Sequence, residues 1–103
     1  MVAELTSLSQ FNDLKKKPLL VVDFHAEWCG PCKQISPIFN ALATKHASSR
    51  VVFAKCDVDR VRDVAQICGI TAMPTFQFYC NGKKVDEIKG ASGPALTAKI
   101  AQY

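Results

Sequence analysis

Five apolar residues, Leu19, Leu20, Val21, Val22 and Phe24, lead almost directly into Trp28-Cys29-Gly30-Pro31-Cys32. That junction constrains the fold more than any other stretch of the chain. A short run rich in β-branched residues reads as a strand buried on both faces, as in a parallel sheet. Proline lacks a backbone N–H and suits the first turn of a helix, where that donor would have no partner. A helix is therefore expected from about Pro31 to about Ala47, with Ile35, Ile38, Phe39 and Leu42 at helical spacing. Pro37 lies inside this span and is expected to kink it, since it removes a hydrogen bond and crowds the preceding turn.

The rest of the chain continues the pattern. Val2–Leu5 reads as a first strand. Ser7 reads as the cap of a helix over Leu8–Lys16, with Lys15, Lys16 and Lys17 favourable at its C-terminal end. Leu19–His25 is the second strand and Val51–Cys56 the third. Asp59 reads as the cap of a helix over Arg60–Cys68, ended by Gly69. Thr75–Cys80 and Lys83–Lys89 flank Asn81-Gly82, a strong hairpin signal. Ser92 caps a last helix to about Ala101. Strand and helix alternate first, which implies parallel pairing with right-handed crossovers. The hairpin then adds two antiparallel strands. The expectation is an α/β fold, a mixed sheet with helices on both faces, built as one domain over residues 1–103.

Two thiols one helical turn apart at a helix start invite chemistry. Cys29 precedes the helix, where unpaired backbone N–H groups and the helix dipole favour negative charge. A thiolate is stabilised there, and its pKa falls. Cys32 lies within the first turn, so the two sulfurs can meet and cycle between dithiol and disulfide. Exchange needs this arrangement: one thiolate attacks, a mixed disulfide forms, and the second thiol resolves it. A zinc site is the competing reading of C-x-x-C, and it needs four ligands, commonly from a second close pair. Cys56, Cys68 and Cys80 are far apart in sequence, as are His25 and His46, so no metal site is expected. A structural disulfide would leave the framing by Trp28 and Pro31 unexplained.

Trp28-Cys29-Gly30-Pro31-Cys32 after Val21-Val22-Asp23-Phe24, then Met73-Pro74-Thr75, then Gly82 and Lys89-Gly90-Ala91, resembles the thioredoxin family over essentially the whole chain. The resemblance implies the thioredoxin fold: a central mixed five-stranded sheet flanked by four helices, the second strand near its centre and the first at an edge. It implies that Cys29 is the nucleophile and Cys32 the resolving thiol of a redox-active disulfide. Asp23 matches the family's buried acid, and Lys55 the lysine near it. Met73-Pro74 matches the dipeptide whose peptide bond is cis. Trp28, Gly30, Pro31, Met73, Pro74, Gly90 and Ala91 match the shallow substrate-contact surface. The implied activity is that of a protein-disulfide reductase serving cellular redox homeostasis. It would bind no cofactor and draw its electrons from NADPH through a separate flavoprotein, thioredoxin reductase. The implied partners are that reductase and disulfide-containing proteins.

The residues themselves bear on these roles. A carboxylate inside an apolar strand is costly unless neutral or partnered, and desolvation raises its pKa. Asp23 placed below the thiols would accept the Cys32 proton, through water; the plain alternative is a strand-end Asp facing solvent. Lys55 either tunes Asp23 or snorkels from a strand end. His25 stands where many relatives carry an aromatic or small polar residue. It is either a shifter of the Cys29 titration or a packed strand residue. Trp28 reads as a contact residue or as a lid on the motif. Pro74 reads as a device presenting the Met73 backbone to an extended peptide, like an added strand, or as a simple strand-entry proline. Ala72 stands where vertebrate cytosolic relatives often carry a dimer-linking cysteine, which favours a monomer. Cys56, Cys68 and Cys80 read as small hydrophobes. Cys68, expected near the active face, is the one to watch for oxidation.

Composition narrows the remaining classes. The net charge is +4, with Lys15-Lys16-Lys17 and Lys83-Lys84 as the clusters, short of the broad basic face of a nucleic-acid binder. No apolar run approaches a membrane span. Met1–Gln10 lacks the basic start and apolar core of a secretory signal. Five cysteines, an odd number, fit a reducing compartment, and cytoplasm is the expectation. No nucleotide-binding glycine motif is present. Two other classes fit parts of the pattern: a binding module in a larger machine, and an oxidase or isomerase of a secretory compartment. Asp23 argues against the first; Pro31 and the N-terminal sequence argue against the second.

Overall fold

Leu20, Val21, Val22 and Phe24 have no solvent exposure, as a strand apolar on both faces requires. They belong to β2 (Leu19–His25), the middle strand of a five-stranded sheet. The computed structural model describes residues 2–103. The other strands are β1 (Val2–Glu4), β3 (Val51–Asp57), β4 (Thr75–Cys80) and β5 (Lys83–Lys89), and the helices are α1 (Leu8–Leu14), α2 (Gly30–His46), α3 (Arg62–Ile67) and α4 (Gly93–Gln102). The strand order is β1-β3-β2-β4-β5. β3 pairs in parallel with β1 and β2; β4 is antiparallel to β2 and β5 to β4. The mixed five-stranded sheet with four helices is the expected fold.

Alternation along β2 divides the core. Leu19 and Val21 join Phe53, Phe76 and Phe78 under Ile35 and Phe39 of α2 and Leu96 and Ile100 of α4. Leu20, Val22 and Phe24 join Ala54, Cys56 and Tyr79 against Phe11 of α1 and Val64 of α3. Asp23 and His25 follow Leu19 and Val21 at the same period-two spacing, so they share the α2 face. They lie at the C-terminal end of the parallel strands, beside the start of α2.

Local chemistry explains most element boundaries. Ser7 and Ser92 accept hydrogen bonds from the backbone N–H groups of Gln10 (3.1 Å) and Ala95 (3.2 Å), capping α1 and α4. Asn81 (φ 52°) and Gly82 (φ 93°) take the left-handed conformation that the β4–β5 hairpin needs. Gly69 (φ 70°) follows α3. α2 continues through Pro37 to His46. Two expectations differ. α1 stops at Leu14, before the lysines. α3 begins at Arg62, and Asp59 does not cap it; Val61 stands at the cap position with no side-chain hydrogen bond. The reason lies upstream. Asp57 Oδ1 accepts from the N–H groups of Asp59 (3.0 Å) and Arg60 (3.4 Å), forming a turn that delays the helix.

Candidate active site

Cys29 is the N-cap residue of α2, with extended backbone (φ −91°, ψ 107°). Its Sγ accepts the backbone N–H of Cys32 at 3.2 Å, one of the donors a helix start leaves free. The two cysteines form a disulfide, their Cα atoms 5.3 Å apart. Both residues are only 4% exposed. Exposure thus draws no contrast between attacker and resolver in the disulfide form. The contrast appears in what each sulfur faces. Cys32 lines a cleft of about 170 Å³ that opens to solvent, together with Asp23, His25, Ser36 and Lys55, whereas Cys29 does not.

Asp23 lines this cleft. It is 3% exposed, and its Oδ1 has no hydrogen-bond partner. Burial pushes its carboxyl from 3.8 up to about 7, against the opposing charge of Lys55. Lys55 is the register partner of Asp23 across the parallel β2–β3 pair. It also lies opposite Glu4 of β1, with its Nζ 3.8 Å from Glu4 Oε1. Lys55 therefore sits between two carboxylates. This is more specific than a side chain reaching for solvent.

His25 is a half-buried residue at the end of β2, as the packed-strand reading has it. It lines the Asp23–Cys32 cavity rather than a space next to Cys29. Burial holds its pKa below the ordinary value, opposed chiefly by Asp57.

Around the disulfide, Met73 packs against the cluster of Ala26, Cys29 and Cys32. The Met73–Pro74 peptide bond is cis. Gly90, at φ 100°, donates its N–H to the Pro74 carbonyl at 2.9 Å. The structure thus brings together two segments well separated in sequence. Gly30, Pro31 and Ala91 are exposed on this side of the chain, and Pro74 itself is buried. Trp28 is 70% exposed, yet its indole Nε1–H donates to Asp59 Oδ2 at 2.9 Å. Asp59 was expected to cap α3 and instead holds the most exposed aromatic of the site. A clue lay in the topology: parallel neighbours β2 and β3 put the segments after them side by side, so Glu27-Trp28 meets Asp59-Arg60.

Cys68 does not lie near the disulfide. Tyr79 donates its O–H to Cys68 Sγ at 3.4 Å, and Tyr79 pairs with Leu20, near the opposite end of β2 from the site. Burial raises its pKa. Cys56 has no exposure, and burial pushes its thiol up to about 12.

Comparison with known proteins agrees with this geometry. A family model described as Thioredoxin matches residues 2–102. The thioredoxin of Ictalurus punctatus is 47% identical over 106 residues, covering 100% of this chain and 99% of that one. Thioredoxin-like protein 1 of Schizosaccharomyces pombe is 48% identical over 101 residues, and this chain spans 35% of its length. Among solved structures, a thioredoxin of Plasmodium falciparum superposes with a TM-score of 0.94 at 42% identity, covering 99% of each chain. A mitochondrial thioredoxin of Saccharomyces cerevisiae superposes with a TM-score of 0.91 at 41% identity, covering 99% of this chain and 95% of that one.

Proposed function

The chain belongs to the thioredoxin family and is a dithiol–disulfide oxidoreductase, and we infer from its site that it works as a reductase of protein disulfides. The observation that carries this reading is the Cys29–Cys32 pair at the start of α2, above a cavity holding the buried Asp23.

In the proposed cycle the reduced protein attacks through Cys29. The helix start favours its thiolate, and the N–H of Cys32 is at hand as a donor. Attack on a substrate disulfide forms a mixed disulfide and releases one substrate thiolate. Cys32 must then lose its proton, and Asp23 takes it up through water in the shared cavity. Charge repulsion from an ionised Asp23 would disfavour a Cys32 thiolate; moving the proton to Asp23 removes it. The Cys32 thiolate attacks Cys29 Sγ and closes the disulfide, and the second substrate thiolate leaves. Two electrons pass from the protein dithiol to the substrate, and both released thiolates take protons from solvent. Lys55 tunes Asp23 by holding its pKa below what burial alone would produce.

The substrate surface is read as Trp28, Gly30, Pro31, Met73, Pro74, Gly90 and Ala91. Support comes from the packing of Met73 on the cysteines and the Gly90–Pro74 hydrogen bond. An extended peptide would pair with the Met73 backbone; buried Pro74 contributes by shaping that segment. Disulfide-containing proteins and a reductase are the partners the family implies in general. The finer reading is a monomer in the cytoplasm that binds no cofactor and is recharged by an NADPH-dependent flavoprotein reductase. No helix of the described residues is long and apolar enough to cross a membrane.

The test is reduction of insulin disulfides by the protein with NADPH and thioredoxin reductase. Turnover is expected for the native chain and none for Cys29→Ser. A silent native protein, or an active Cys29→Ser variant, would overturn the reading.

A further inference from the structure

Among the described residues, two buried side-chain atoms lack a hydrogen-bond partner: Asp23 Oδ1 and His25 Nε2. Both residues line the cavity of about 170 Å³ that Cys32 borders. His25 also lines a second cavity, of about 370 Å³, on the side of Asp57, Arg60 and Thr6. Each volume has room for more than one water. The imidazole therefore borders both the space around the buried carboxylate and a larger space beside it.

Glu27 and Lys55 border both cavities as well. They are not equivalent to His25 in chemistry. A lysine ammonium has donors and no acceptor, and an ionised carboxylate has acceptors and no donor. Neutral imidazole has one of each, on opposite sides of the ring. It can take a proton at one nitrogen and release another from the second.

We propose that His25 is the proton outlet of the active site, a positioning residue that carries the proton taken up by Asp23 from the first cavity to the second. This rests on the reading of Asp23 as acceptor of the Cys32 proton. The Asp23 carboxyl passes its proton to cavity water, and that water protonates one imidazole nitrogen. The other nitrogen releases a proton to water in the second cavity. No electrons move, and Asp23 regains the carboxylate form it needs before it can accept the Cys32 proton, so a slow outlet holds back decay of the mixed disulfide.

The groups facing the ring suit this role. Asp57 lies opposite it on β3, with Lys55 two residues before on the same face. Glu4 of β1 and Glu27 after β2 act on it from the second cavity. Lys33 of α2 borders the first cavity and Arg60 the second. Arg60 is itself engaged by Glu27 at 3.3 Å and Asp57 at 3.8 Å. Burial outweighs the nearby carboxylates and holds the ring pKa below its ordinary value, which favours the neutral ring the relay uses.

The test follows the two half-steps. Reduced protein is mixed with a disulfide-linked peptide, quenched with acid, and the mixed disulfide is counted by mass spectrometry between pH 5.5 and 8.5. His25→Gln is expected to leave the attack step unchanged and to slow decay of the mixed disulfide about tenfold, less than loss of a directly acting acid or base. Added imidazole is expected to restore the decay rate in His25→Ala and not in Asp23→Asn. Native decay and an unchanged pH profile in His25→Gln overturn the relay, as does a slow His25→Ala that imidazole does not restore. If Asp23→Asn is slow while His25→Gln is not, only the relay fails. If Asp23→Asn resolves at the native rate, the reading of Asp23 fails and the relay with it.

Discussion

The Trp28 indole N–H donates to the Asp59 carboxylate at 2.9 Å, across 31 positions of sequence. This contact ties the exposed ring beside the disulfide to the turn after β3. The ring is solvated, so the hydrogen bond contributes little to global stability, on the order of 1 kcal/mol. Its larger effect is on where the ring rests.

Asp59→Ala is therefore expected to leave the unfolding midpoint nearly unchanged and to loosen Trp28. Because Trp28 is the only tryptophan, fluorescence anisotropy reports on it alone. A ring as immobile in Asp59→Ala as in the native chain would remove the tether from the account.

Asp23 makes stability depend on pH with a definite sign. Its carboxyl is raised from 3.8 to about 7 in the folded protein. Below pH 3.8 both states are protonated and burial carries no ionic penalty. As pH rises from there through 7 the unfolded state ionises first, and stability falls; above 7 the loss is complete. Asp23→Asn is expected to be more stable than the native chain by on the order of 2–4 kcal/mol at pH 8 and about equal to it at pH 3. Urea unfolding at both pH values checks this. Equal stability at pH 8 would contradict a buried ionising carboxylate.

The thiols separate by environment. In the reduced native protein, iodoacetamide is expected to modify Cys29 first, while Cys56 and Cys68 react only after unfolding, because burial raises both of their pKa values. Peptide mapping after a short exposure at pH 8 reads the order. Early labelling of Cys56 would show that its burial is transient.

Gly82 holds φ at 93° in the β4–β5 turn, where a Cβ is strained even though no atom lies within 4 Å of its place. Gly82→Ala is expected to cost about 1–2 kcal/mol through the backbone alone. Thermal unfolding measures it, and an unchanged melting temperature would mean the turn relaxes to another type.

Local signals account for what could be read in advance. Short apolar runs with paired valines marked β2 and β3, Asn81-Gly82 marked the hairpin, and Ser7 and Ser92 marked two helix starts. The cysteine pair was legible because its spacing, its preceding strand and its proline act within a few residues. α3 was placed too early because Asp57, not Asp59, satisfies the local backbone donors. That choice depends on which carboxylate the turn after β3 turns inward.

Sequence alone marked the fold class and the thiol pair, through periodicity and helix-start chemistry; it left Asp23 between a buried acid and a solvent-facing strand end, and the family resemblance favoured the first. Tertiary structure decided which groups share a space. The parallel register set Lys55 against Asp23 and Asp57 against His25, and the packing of α2 gave Cys32, but not Cys29, the cavity above Asp23. The cause is physical: strand register and helix docking are fixed by the whole core at once, and no local run of residues encodes which side chains face one another across it.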